Sequence, residues 1–195
     1  ETKTSYSINV VVSDGTNSAT QDITVNVTNL NDNSPSFTSS ATFSAAENQT
    51  AIGTVSATDA DGDTVSYSLS GTDASSMSIN SSSGVLTFNS APDYETKTSY
   101  SATVTASDGT NSSTQDITVN VTNLNDNTPS ITSGATFSAA ENQTAIGTVT
   151  ATDADGDTLS YSLSGTDASS MSINSSSGVL MFNSAPDYET KISYT

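Results

Sequence analysis

The sequence predicts an all-β chain of tandem seven-strand Greek-key β-sandwich domains joined end to end. Apolar residues alternate with polar ones at period 2 in one short run after another, and no stretch shows the 3.6-residue period of a helix. Turn-forming residues close each run, as at Asp61-Gly62-Asp63, Ser70-Gly71 and Asp108-Gly109. The whole pattern then recurs. Glu1-Thr2-Lys3-Thr4-Ser5-Tyr6 returns at Glu95 and, with Ile192 for Thr, at Glu189, so that 95 − 1 = 189 − 95 = 94 residues. A unit of that size is long enough to be a domain of its own, well above the usual period of a solenoid repeat.

One period justifies its strands in order. Phe37, Phe43 and Ala45 open the domain and lead to Glu47. Ile52, Val55 and Ala57 follow, ending at the polar loop Asp59 to Asp63; Val65, Tyr67 and Leu69 alternate up to Gly71. Met77 and Ile79, then Leu86 and Phe88, form two shorter runs about the turn Asn80 to Gly84. After Pro92-Asp93-Tyr94-Glu95 comes a longer strand with Tyr100, Ala102, Val104 and Ala106 on one face. Asp108-Gly109 turns it back into Ile117, Val119 and Val121. About seven strands result, expected to form an antiparallel sandwich with a thin, alanine-rich core. The expected domains are residues 1–33 (final strands of one repeat), 34–127 (a complete repeat) and 128–195 (first strands of a third).

Residues 1–101 and 95–195 differ at 13 positions, and those differences respect strand parity. At inward positions apolar replaces apolar (Ile8/Ala102, Val12/Ala106, Phe37/Ile131, Val65/Leu159), whereas outward positions vary freely (Asn9/Thr103, Val11/Thr105, Thr87/Met181, Thr98/Ile192). A disordered coil has no inside to preserve. The composition, with 32% apolar residues and over a third Ser and Thr, is therefore that of a lean folded chain.

Composition also excludes chemistry. There are 21 acidic residues against 3 lysines, a net charge of −18 that repels nucleic acid and anionic membrane and attracts metal cations. Without Cys or His there is no disulfide framework, no thiol nucleophile, no Ser-His pair and no ordinary zinc site. No apolar run approaches the roughly 20 residues that span a bilayer, so no membrane insertion of this segment is expected.

The acids gather. Asn29-Leu30-Asn31-Asp32-Asn33 and Asn123-Leu124-Asn125-Asp126-Asn127 each follow a strand and precede a proline, Pro35 or Pro129, that stops the strand from continuing. Such oxygen-rich joints suit hard divalent cations. The strand order places Glu47, Asp93 and Glu95 at the end where the chain leaves the domain, and Asp59, Asp61, Asp63 and Asp108 where it enters. Like charges so crowded repel by several kcal/mol at intermediate dielectric, and bound cations relieve it. Asp59 to Asp63 also opens like an EF-hand loop, but Ser70 stands where that loop needs Glu and no helices flank it.

These motifs, Ala46-Glu47-Asn48, Asp59-Ala60-Asp61, Asp93-Tyr94-Glu95, Ala106-Ser107-Asp108 and Asn125-Asp126-Asn127, resemble those of extracellular cadherin domains, especially the cadherin-like repeats of large bacterial surface proteins. The resemblance implies about three Ca²⁺ at each interdomain junction. It implies ligands at the first from Glu1, Asn31, Asp32, Asn33, Asp59, Asp61, Asp63 and Asp108. At the second it implies Glu47, Asp93 and Glu95, the Leu124 carbonyl, Asn125, Asp126, the Asn127 carbonyl, Asp153, Asp155 and Asp157; a following junction would begin with Glu141, Asp187 and Glu189. Ala replaces the family's proline before Glu47, Tyr94 replaces its arginine, and Asn29 and Asn123 replace the first Asp of the joint. None of these removes an expected metal-contacting side chain. The chain has no Trp, so adhesion by exchange of an N-terminal Trp does not carry over.

The expected function is that of a calcium-stiffened repeat segment of a long extracellular adhesin stalk or surface filament, not an enzyme. A polysaccharide-binding or homophilic cell-adhesion module, with cell-surface glycans as partners, is the alternative. The incomplete repeats at either end are expected to be completed by neighbouring copies or by continuation of the same chain, head to tail; continuation is favoured because nothing marks Glu1 as a natural start.

Overall fold

The structure is a computed structural model that describes residues 3–194. Among them all regular structure is β apart from two single 3-10 turns, and the chain divides into two compact units, residues 1–122 and 123–195.

The first unit opens with a hairpin, β1 (Ser5–Ser13) and β2 (Ser18–Asn26), in unbroken antiparallel register. Then comes the complete repeat: β3 (Ser36–Phe37), β4 (Thr42–Ala46), β5 (Ala51–Thr54), β6 (Ala57–Thr58), β7 (Ser66–Ser70), the 3-10 turn Ala74–Ser76, β8 (Met77–Ile79), β9 (Val85–Phe88), β10 (Ser99–Ser107) and β11 (Ser112–Thr122). One sheet has the order β4-β11-β10-β7 and the facing one β5-β9-β8, with β3 and β6 paired beside them. Counted without the short β3–β6 pair, these are the seven strands of the sandwich. The expectation of a wholly antiparallel sandwich needs one correction: β4 runs parallel to β11. That pairing requires the chain to cross between sheets, which the β5–β9 segment provides.

Within the complete repeat, every residue placed inward by alternation joins one core, whereas Ile8, Val12 and Ile131, also expected inward, are exposed. Val55, Leu86, Val104, Ala106, Ile117 and Val119 are fully buried, and Phe37, Phe43, Ile52, Val65, Leu69 and Ile79 pack around them. Tyr67 packs inward and its hydroxyl still reaches a partner, donated to by the Ala57 N–H at 2.8 Å. Tyr100 meets Phe88 edge-on at 4.9 Å, and Lys97 lies over the Tyr100 ring at 4.5 Å while pairing with Asp73. Lys191 repeats this arrangement with Asp167 and Tyr194. The scarce cations thus fasten the start of the long strand to the 3-10 turn. The Lys97 ammonium, together with the Ser101 N–H, holds the Asp73 carboxyl below the usual carboxylate range.

The second unit contains β12 (Ser130–Ile131), β13 (Ala145–Thr148), β14 (Ala151–Thr152), β15 (Met171–Ile173) and β16 (Val179–Phe182). Its sheet β13-β16-β15 copies β5-β9-β8, including the bulge in the first strand.

Two glycines test the packing. Gly84 has φ +68°, and a Cβ there would sit 2.0 Å from the Val55 carbonyl oxygen; Gly62 has φ +83° with open space around it. Gly84→Ala combines a left-handed backbone with a collision and is expected to cost about 3 kcal/mol or more, against about 1 kcal/mol for Gly62→Ala. Chemical denaturation of both variants checks this, and equal losses would show that the Gly84 turn is not packed against β5 and β6 as described.

Candidate metal centre

The entry end of the complete repeat is built on Asp61. The loop Asp59 to Asp63 turns at Gly62 and is pinned by the Asp59 carboxylate, which accepts the N–H groups of Asp61 at 2.9 Å and Asp63 at 3.3 Å. Asp61 in turn accepts the backbone N–H groups of Asp32 (3.0 Å) and Asn33 (2.8 Å) and the Asn33 side-chain amide (2.9 Å). Asn29 donates its amide to the Asp61 carbonyl. One carboxylate therefore clamps the joint 29–33 to the domain that follows it. The Asn33 N–H foremost holds the Asp61 carboxyl below its ordinary value.

A second clamp comes from the turn after β10. Asp108 accepts the N–H groups of Thr110 (2.7 Å) and Asn111 (2.6 Å) on one oxygen. Asn111 then donates its amide to the Asn31 side-chain oxygen at 2.8 Å and to the Asn33 carbonyl at 3.1 Å. Burial pushes the Asp108 carboxyl upward, but the Asn111 and Thr110 N–H groups outweigh it and the net shift is downward. Asn111 was not among the expected site residues. Its spacing of three from Asp108, closing an Asx-type turn, is the signal that marks it.

Beyond these clamps the centre is short of donors. The remaining oxygens of Asp59 and Asp108, both named Oδ2, are buried and meet no hydrogen-bond donor. A carboxylate oxygen left in that state costs free energy that a cation would recover. One carboxylate oxygen from each of Asp59, Asp61 and Asp63 lies within 4.8 Å of the others. A cavity of about 330 Å³, lined by Thr4, Val27, Asn29, Asp59, Asp61 and Gly62, adjoins them. This donor set, all oxygen and mostly carboxylate, fits a hard cation such as Ca²⁺ and no softer metal. Glu1, also expected here, lies outside the described residues.

The second unit repeats the entry end. Asp155 accepts the N–H groups of Asp126 (3.2 Å) and Asn127 (2.8 Å) and the Asn127 amide (2.9 Å), while Asn123 donates to its carbonyl. Asp153, Asp155 and Asp157 cluster as their counterparts do, and Asn125 lines a hollow together with Asp153 and Asp157. Leu124 is exposed.

At the exit end, Asn48 adopts a left-handed conformation (φ 62°) directly after Glu47 and donates its N–H to the Pro92 carbonyl. That bend lays the Glu47 carboxylate, only 2% exposed, against the Asp93-Tyr94-Glu95 turn, where it accepts the Tyr94 N–H at 2.8 Å. Asp93 accepts the Thr96 hydroxyl (2.8 Å) and the Glu95 N–H (3.0 Å), and the hydroxyl foremost lowers its carboxyl. Glu47, Asp93 and Glu95 bring one oxygen each within 4.8 Å; Glu141, Asp187 and Glu189 form the same group in the second unit. The entry and exit clusters of one repeat stand at opposite ends of β10, a strand of nine residues and so about 30 Å long.

Residues 41–122 match the family model described as the cadherin domain. The chain is built of cadherin-like domains. Protocadherin Fat 4 of Homo sapiens is 33% identical over 188 residues, a match that takes in 87% of this chain and 4% of that protein. Among solved structures, protocadherin Gamma B2 extracellular cadherin domains 3-6 superpose with TM-score 0.75 at 28% identity, covering 94% of this chain and 51% of the other. Human CDH23 EC21-23 gives TM-score 0.75 at 25% identity over 95% of this chain and 66% of the other. The cadherin-like chain thus spans a small fraction of its curated relatives. The protocadherin Gamma B2 domains are extracellular. Among the described residues no helix is long and apolar enough to cross a membrane.

The lowered carboxyls fix a sign for acid sensitivity. Asp61, Asp73, Asp93 and Asp108 all titrate lower in the fold than in the unfolded chain. Their stabilisation is complete above the ordinary carboxylate range, about pH 4, and is lost as pH falls through the lower folded values. Denaturant unfolding in chelator should therefore show stability falling below about pH 4. Stability that rose on acidification would mean that carboxylate repulsion outweighs these hydrogen bonds.

Proposed function

We propose that the chain is a calcium-stiffened repeat segment of a long extracellular stalk or surface filament of the kind the cadherin-like repeats of large bacterial surface proteins form. The observation that carries this is the pair of buried, donorless oxygens on Asp59 and Asp108, beside the Asp61 carboxylate and the Asn111 amide that clamp the joint 29–33. The ligands we assign at the entry ends are Asn31, Asp32, Asp59, Asp61, Asp63 and Asp108, and in the second unit Asn125, Asp126, Asp153, Asp155 and Asp157. At the exit ends they are Glu47, Asp93 and Glu95, with Glu141, Asp187 and Glu189 in the following repeat. Ca²⁺ supplies charge neutralisation there. The residues themselves do the remaining work: Asp61 and Asp155 clamp the joints to the loops that follow, and Asn48 and Asn142, both left-handed, come directly after glutamates that accept the Tyr94 and Tyr188 N–H groups.

Near-identity of the repeats supports a spacer, which needs only repetition. A glycan-recognition role has less support, because all six aromatic residues of 34–127 pack in or against the core and none forms an exposed platform.

Extracellular calcium modules bind at about 10⁻⁴–10⁻³ M, so millimolar Ca²⁺ should saturate the sites. Small-angle scattering should show a maximum dimension that is longer and better defined in Ca²⁺ than in chelator; an unchanged profile would sink the calcium reading. Asp126→Ala should lower the melting temperature in Ca²⁺ more than Asp116→Ala. Asp116 lies on the exposed face of β11, where it accepts the Thr103 hydroxyl, away from every cluster. Equal shifts would mean that the ligand assignment is wrong.

A further inference from the structure

Asn111 does two separate things. Its backbone closes the turn after β10: the N–H donates to Asp108 at 2.6 Å, and the carbonyl accepts the Asp108 N–H at 3.2 Å and the Ser107 hydroxyl at 3.0 Å. The turn from Asp14 to Asn17 closes through the same three bonds, at 2.6, 3.1 and 3.0 Å. All of them are made by the backbone of the asparagine, so its side chain is not what builds the turn. The Asn111 side chain reaches instead into the joint 29–33. Its Nδ2 lies 2.8 Å from the Asn31 side-chain oxygen, 3.1 Å from the Asn33 carbonyl and 3.5 Å from the Asn31 carbonyl. One amide nitrogen with two hydrogens therefore faces three oxygens. A carboxylate is the stronger acceptor, and the buried Oδ2 atoms of Asp59 and Asp108 meet no donor. Yet the hydrogen bonds of this amide go to neutral oxygens of the joint. Asn31 is an assigned cation ligand, and the Asn33 carbonyl is the counterpart, 94 residues earlier, of the Asn127 carbonyl that the resemblance names as one.

We propose that the Asn111 amide competes with the cation at the entry end, holding Asn31 and Asn33 until a cation displaces it. This rests on the calcium reading of the site and adds its regulation. The amide hydrogens direct partial positive charge at oxygens that a cation would draw on, so the two exclude each other. Asn111 then keeps the joint clamped when calcium is scarce, and cation capture exchanges one clamp for another. Hydrogen bonds of ordinary net strength seat such an amide about nine-tenths of the time. A site open for the remaining tenth binds about tenfold more weakly than one that is always open.

NMR of the full 195-residue chain, titrated with Ca²⁺ out of chelator, tests it. The Gly62 N–H, in the loop from Asp59 to Asp63, reports the entry end. The Asn111 side-chain NH₂ pair, assigned through its own backbone, reports the amide and needs no variant to fold. Both signals should move over the same Ca²⁺ concentrations, the NH₂ pair toward the shifts of an unbonded amide. Asn111→Ala keeps every backbone bond of the turn and should bring the Gly62 midpoint to about tenfold lower Ca²⁺. Asn111→Asp, of the same shape with an acceptor in place of the donor, should lower it at least as far. An NH₂ pair that stays in place while Gly62 saturates would overturn the proposal. So would either variant with a midpoint at or above that of the parent, because the amide would then be a brace that readies the joint for the cation. A Gly62 signal unmoved in millimolar Ca²⁺ would overturn the calcium reading itself, and this proposal with it.

Discussion

The sandwich depends on one hairpin. β11 is bonded to β4 on one side and β10 on the other, and β10 continues the sheet to β7, so a four-stranded sheet exists only because these two strands stand at its centre. The same two strands contribute six of the fully or nearly fully buried core residues, from Ala102 to Val121. They come last in the repeat. Nothing before them can complete the fold, and β11 pairs with residues 122 − 46 = 76 positions earlier (Thr122 with Ala46). Contacts of that span make the repeat an all-or-none unit with slow, non-local folding. The second unit shows what the earlier segments do alone: the local three-stranded sheet β13-β16-β15 forms, and the segments that need the hairpin do not pair.

The same strand that carries the core also spaces the charges. Asp93 and Glu95 precede β10 and Asp108 follows it, so its length sets the separation between the two carboxylate clusters of a repeat. Each cluster spends its hydrogen-bonding capacity on backbone N–H groups: Asp61 on Asp32 and Asn33, Asp108 on Thr110 and Asn111, Glu47 on Tyr94. Such charge-assisted bonds hold the loops in place with no basic residue at the site. They also leave net negative charge at each end, since an N–H group stabilises a carboxylate without cancelling it. The three lysines do not serve this purpose. Lys97 and Lys191 are committed to Asp73 and Asp167 and to the tyrosine rings beside them, and Lys3 lies over Tyr6.

Much of this was legible in the sequence. Period-2 alternation picked out every core residue because each strand has one buried face, and a strand cannot shift its register by one residue without turning that face outward. The acidic motifs were legible for a similar reason: residues at strand ends of known order must gather at one end of the sandwich or the other. What alternation could not reveal is strand direction, and hence the parallel pairing of β4 with β11, because parallel and antiparallel neighbours bury the same face. The 3-10 turn at Ala74–Ser76 was hidden too, being too short to show a period. Asn111 escaped because its role is to donate from a turn to a joint 80 residues earlier, a contact that only the fold creates.

Identical segments with different structures separate the local from the non-local contribution. TFSAA and SYSLS carry the same alternation in both copies, and in both the chain around them follows the same course through β13 or β5 and β16 or β9. Propensity is therefore equal, and only the hairpin differs. Ladder pairing, supplied from outside the segment, decides whether these residues are strands. The carboxylate clusters behave in the opposite way: the Asp153 to Asp157 loop and the Glu141 group assemble in the second unit without any hairpin. Two independent devices are thus built into each 94-residue period. Carboxylate clusters assemble from local loops, whereas the four-stranded sheet forms only where the β10–β11 hairpin lies between its outer strands.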